Sequence, residues 1–183
     1  MASRVRFATA REVFDAFPSA ADDIRVAPTS EAPLVFARSL AAGPTPEDAL
    51  SFCAYLLPRR EAVWWSCQCV RSLTPNLTQK ELQGLKAAEE WVREPEDGRR
   101  RAAMTEGLAG DRNAATTWNA LAAGWSGGTM MVGEHAVPVA PHLTAKAVRI
   151  AVLTALARVG ADERAARIAG CLDGALRLAA APA

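Results

Sequence analysis

Apolar positions along this chain recur at helical spacing in segment after segment, and the one around which the rest is organised runs from Pro58 to Leu73, PRREAVWWSCQCVRSL. Proline suits a first helical position because its missing N–H has no intrahelical partner there, and Glu61 then sits near the positive end of the helix dipole. The triplets Ala62–Trp65–Cys69 and Val63–Cys67–Val70 follow the i, i+3/i+4 spacings that share a helix face. Because the two faces point different ways, the segment is expected to be a central core helix covered on more than one side.

The same pattern predicts helices on either side. The opening segment allows a short strand over Ser3–Phe7 or a lead-in to a helix from Thr9 to Phe17, with Thr9 as cap. A proline-rich connector follows, then a helix from Ser30 to Ala42 capped by Ser30. Thr45-Pro46-Glu47-Asp48 opens a helix to Leu57, and Pro58 then follows almost without a loop. Thr78 and Glu81 form a capping box that starts a helix to Arg93. Further helices are expected over Glu96–Leu108, from an Asn113 cap to Trp125, over Thr144–Val159, and from Ala161 to about Ala180. Between Gly124 and Pro141 no period survives, and GWSGGTMMVGEHAVPVAP reads as an irregular loop. The expectation is an all-α fold of eight or nine helices in antiparallel pairs, as a compact bundle or an irregular helical solenoid. Residues 1–183 form one helical domain in this reading, with 1–29 a less regular lead-in.

Composition narrows the function classes. Half of the residues are hydrophobic and 22% are charged, enough to bury a core. A net charge of +1 argues against a broad nucleic-acid footprint. Arginine far outnumbers lysine and alanine abounds, which suggests a GC-rich bacterial genome. The tract Ala145–Gly160 is interrupted by Lys146, Arg149 and Arg158, so no membrane span is expected. The N-terminus lacks an uninterrupted apolar run, which leaves a cytoplasmic location as the expectation.

Residue by residue, candidate chemistry is sparse. Cys67 and Cys69 lie two apart on a helix, about 200° around its axis, and cannot chelate one ion together. With Cys53 and Cys171 they read as buried thiols. His135 and His142 bracket a proline-containing loop beside Glu134, and local sequence shows no partners for metal or acid–base work. Ser126-Gly127-Gly128 lacks the strand-to-helix setting of a nucleophile elbow, and no Gly-Lys-Ser/Thr follows the glycines. Arg99-Arg100-Arg101 reads as a solvated face neutralised by Glu94, Glu96 and Asp97. Arg59 and Arg60 oppose the dipole at the start of their own helix, so they are expected to pair with acids elsewhere or to meet a partner. No cofactor and no metal is expected.

The set Leu57-Pro58-Arg59-Arg60-Glu61-Ala62-Val63-Trp64-Trp65, Trp91-Val92 with Arg99-Arg100-Arg101-Ala102-Ala103-Met104, Trp125-Ser126-Gly127-Gly128, and Pro141-His142-Leu143-Thr144-Ala145-Lys146-Ala147-Val148 resembles an all-helical bacterial family of unknown function associated with type VI secretion gene clusters. The resemblance covers roughly residues 30–180 and includes no catalytic signature. It implies a cytoplasmic accessory role near secretion spike or effector components. The leading expectation is therefore a non-enzymatic, adaptor- or chaperone-like protein that binds another protein. Its expected binding surface is Trp125, Gly127, Gly128, Met130, Met131 and Val132, together with Arg59 and Arg60. An enzyme with a site around Glu134, His135 and His142, or a structural helical domain of another assembly, are the alternatives.

Overall fold

The computed structural model describes residues 5–182, so the strand alternative over Ser3–Phe7 lies partly outside it. Among the described residues the chain is all-α, with nine α-helices, one short 3-10 helix and one two-stranded sheet. It divides into two compact units. One is formed by the chain up to Pro58 together with the segment from Val159 onward, and the other is Arg59–Arg158.

The first unit is built from α1 (Ala10–Ala16), a 3-10 helix (Pro18–Asp22), α2 (Pro33–Ala41), α3 (Glu47–Leu56) and α9 (Ala161–Ala180). Thr9 caps α1 as expected, its hydroxyl accepting from the Glu12 N–H. The core is aromatic. Phe36 and Phe52 meet edge to face at 5.0 Å, and Phe14 lies 6.3 and 6.2 Å from them. Asp48 is buried in this unit and accepts the Arg25 backbone N–H at 3.1 Å, which offsets the cost of burying a carboxylate. Two expected caps are not used: α2 begins at Pro33 after Ala32 rather than at Ser30, and Thr45 contributes its carbonyl to Asp48 rather than its hydroxyl.

The second unit holds α4 (Arg59–Leu73), α5 (Gln79–Arg93), α6 (Asp97–Ala109), α7 (Ala115–Gly124), a hairpin of β1 (Thr129–Val132) and β2 (His135–Pro138), and α8 (Leu143–Leu156). Both α4 triplets are buried, with Trp65 2% exposed while its neighbour Trp64 is 40% exposed. The Thr78–Glu81 capping box on α5 is complete. The hub of this unit is α7, which packs against α4, α5, α6 and α8. Its alanines let neighbouring backbones approach closely, and it is buried on every side apart from the half-buried Trp118. Inside the fold the Asn119 Nδ2 donates to Ser66 Oγ of α4 at 2.7 Å, while its Oδ1 is buried without a hydrogen-bond partner among the described residues. The expected Asn113 cap is absent, since α7 starts after Ala114 and Asn113 instead donates to Asp111.

The segment expected as an irregular loop contains a regular hairpin. β1 and β2 pair antiparallel in the register Thr129↔Pro138, Met130↔Val137, Met131↔Ala136 and Val132↔His135. Gly133 takes φ +61 at the first turn position, while Glu134 is not among the positive-φ residues, as a type II′ turn requires.

Candidate functional site: the hairpin and its mounting

The hairpin stands on the C-terminal end of α7, where the last carbonyls of a helix lack intrahelical donors and carry partial negative charge. Three helices supply side chains to this end. Arg100 Nη1 of α6 donates to the Gly124 carbonyl at 3.0 Å. Thr144 Oγ1 of α8 donates to the Trp125 carbonyl at 2.9 Å, and Arg59 Nη1 of α4 donates to the Ser126 carbonyl, also at 2.9 Å. Successive carbonyls are thus each met by a different helix.

Arg100 departs from the solvated face expected of the run Arg99–Arg101. It is buried rather than solvated, because it shares the narrow inward stripe of α6 with Ala103 and Gly107. Its guanidinium also binds Asp97 Oδ1 through Nε and Nη2 at 2.9 and 2.7 Å. Those bonds hold the Asp97 carboxyl below the usual carboxylate range. The flanking Arg99 and Arg101 are exposed as expected and pair with Glu94 and with Asp97; Arg99 also pairs with Glu90 of α5, which the expectation did not include. Against the Arg100 guanidinium lies Gly128, at φ +69, where a Cβ would come within 2.8 Å of Nη2. Conformation favours glycine there, and an added Cβ would push the guanidinium aside.

The expected surface residues are distributed as follows. Trp125 ends α7 half-buried, its ring edge-on to Trp118 at 6.5 Å and its Nε1 without a hydrogen-bond partner among the described residues. Gly127 is half-buried and Gly128 exposed at the base of the hairpin. Met130 is half-buried, whereas Met131 and Val132 are 62% and 55% exposed. Arg59 belongs to the mounting. Arg60 does not: its Nε donates to the Val92 carbonyl at 2.7 Å, at the end of α5. Neither arginine meets an acid in these bonds; each meets the C-terminal carbonyls of another helix.

Glu134 and His135 are exposed at the hairpin tip, while His142 sits half-buried just before α8. No group of three or more His, Cys, Asp or Glu placed to hold a metal occurs among the described residues. The four cysteines are buried outside any disulfide. Burial pushes the Cys53 thiol up to about 12 and raises that of Cys67 as well. A separate cleft of about 420 Å³ in the second unit is lined by Thr78, Lys80, Glu81, Asp111, Thr117 and Arg158 among others. Its Glu81 is engaged by Thr78 and by Arg158 at 2.9 Å, which lowers the Glu81 pKa. No helix among the described residues is long and apolar enough to cross a membrane.

Residues 36–179 match a family of unknown function, DUF6931. The chain belongs to this family. The DUF6931 match takes in the whole second unit, and so both the hairpin and the three helices that mount it. Neither a curated protein nor a solved structure matches the chain.

Proposed function

We propose that the chain is a non-enzymatic adaptor that holds a protein partner on its hairpin. The observation that carries this reading is the pairing of a fixed base with an apolar, water-exposed arm. Adjacent exposed apolar residues on a short hairpin cost solvation that the fold does not recover, and such patches commonly serve association. A mounted arm also loses little conformational entropy when it binds, so more of the contact energy appears as affinity. Met130 and Met131 suit this role, since their unbranched side chains adapt to an irregular partner surface.

The resemblance drawn from the sequence supports a place for this adaptor beside the spike or effector components of a type VI secretion system, in the cytoplasm of a bacterium. The test uses purified spike and effector proteins in calorimetric titrations against the full chain and a Met131→Ser/Val132→Ser variant. One component should bind, and the variant should bind it at least about tenfold more weakly while keeping its melting temperature. Unchanged binding by a folded variant would remove the hairpin from the surface. Absence of binding by every component would remove the secretion assignment.

A further inference from the structure

The two edges of the hairpin are chemically unequal. The Val139 N–H donates to the Gly128 carbonyl at 3.0 Å, one step beyond the Thr129↔Pro138 pair. In an antiparallel ladder hydrogen-bonded and non-hydrogen-bonded pairs alternate. Gly128/Val139, Met130/Val137 and Val132/His135 are therefore the hydrogen-bonded pairs. The main-chain groups of Thr129 and Met131 point outward from β1, and those of Ala136 and Pro138 point outward from β2. Pro138 has no N–H to offer and its ring occupies that edge, one of the usual protections of an exposed strand. β1, with the sequence Thr-Met-Met-Val, carries no proline, no charge and no bulge, and no third strand joins it among the described residues.

We infer that the β1 edge pairs antiparallel with the β1 edge of a second copy of this chain, joining two hairpins into a four-stranded sheet. Thr129 faces the partner's Met131 in a hydrogen-bonded pair, and Met131 faces the partner's Thr129, so each pair exchanges two bonds. Met130 lies on the two-fold axis opposite its own counterpart, in a non-hydrogen-bonded pair. The contact is isologous, as a closed dimer demands. The same chemistry argues for a second copy as the occupant: self-pairing brings together only methionine and threonine side chains, with no like charges opposed. An edge of this length covers far less than a standard interface, so the dimer is weak and concentration-dependent. This inference goes beyond the adaptor reading: it uses the main-chain edge, whereas partner binding uses the side chains on the two faces.

The test is sedimentation equilibrium of the full chain from micromolar to millimolar concentration. The mean mass should climb from 19.4 kDa toward twice that value. Met131→Pro removes an outward N–H while sparing the hairpin's own ladder and should stay monomeric, whereas Ala136→Pro, on the edge already guarded, should self-associate like the parent. Circular dichroism confirms that both variants fold. Disulfide trapping gives a second, independent measurement. Because non-hydrogen-bonded partners lie about 4.5 Å apart between Cα atoms, Met130→Cys should oxidise readily to a covalent dimer. The native cysteines, all buried, should not compete. A monomer at every concentration, self-association that survives Met131→Pro, or faster trapping through Ala136→Cys than through Met130→Cys would each overturn the inference. Calorimetry with the secretion components is scored separately, so loss of self-association with partner binding intact sinks this inference and leaves the adaptor reading standing.

Discussion

Replacing Arg100 with methionine should destabilise the second unit more than any other single change to the hairpin mounting. The side chain is 9% exposed, and methionine keeps most of its apolar stem while deleting the guanidinium. What is lost is the 3.0 Å bond to the Gly124 carbonyl, a buried contact. An abandoned buried carbonyl costs about 1–3 kcal/mol, and losing a cation beside a helix C-terminus adds about 0.3–1 kcal/mol. The expected loss is about 2–3 kcal/mol, which for a unit of this size lowers the melting temperature by roughly 10 °C. Arg100→Lys should recover part of this, since it restores charge without the fork that binds Asp97 and Gly124 together. Asp97 is 59% exposed, so Asp97→Asn should change the melting temperature little. Amide exchange provides the local readout: the Met130 and Val132 N–H groups should exchange faster in Arg100→Met. The reasoning fails if Arg100→Met melts like the parent, or if Asp97→Asn alone reproduces the whole loss. The first result would mean the carbonyl finds another donor; the second would place the energy in the exposed ion pair.

Three further outcomes are expected. Trp65→Ala should cost about 3–5 kcal/mol in urea denaturation, because Trp65 is 2% exposed and its removal leaves a large cavity. Gly124→Ala should cost about 1–3 kcal/mol, since the added Cβ would sit 2.6 Å from the Met104 Cα and force α6 from α7; a neutral thermal melt would refute that close approach. The folded chain holds the Cys53 proton from an ordinary 9.0 up to about 12, so its contribution is full below pH 9 and is lost as pH rises through that window. Denaturation between pH 8 and pH 11 should show that decline, and Cys53→Ala should reduce its slope.

Most of the helices were legible because their signals are local. Pro58 before Arg59, the Thr78–Glu81 box and the apolar triplets of α4 each act within one or two turns. The importance of α7 was not legible. Its run Ala-Thr-Thr-Trp-Asn-Ala-Leu-Ala-Ala-Gly has little apolar bulk, and it is central because small side chains admit four neighbours, a property of the assembly and not of the segment. The hairpin was masked for a different reason. Its strands are only four residues each and interrupt no strong alternation, so Gly133-Glu134 between TMMV and HAVP was the one available sign. Arg100 is hidden within a charge run, although its spacing to Ala103 and Gly107 places it on the inward stripe of α6.

Arg59 and Arg60 show how an apparent local conflict is resolved at a distance. A cation in the first turn of α4 is opposed by that helix's own dipole, which costs a few tenths of a kcal/mol or more. The fold brings this N-terminal turn beside the C-terminal ends of two other helices, where Arg59 reaches Ser126 and Arg60 reaches Val92 and Arg93. Each guanidinium therefore meets two opposed dipole ends, unfavourable in its own helix and favourable in the neighbour. The neighbour prevails because its carbonyls accept direct hydrogen bonds, whereas the repulsion from α4 acts only through space. Charges that look misplaced along the sequence are thus the bonds that orient α5 and α7 against α4. Through Ser126, Arg59 also fixes the direction in which the hairpin leaves the unit. The exposed arm owes its direction to arginines about 67 and 24 residues away from the carbonyls they bind.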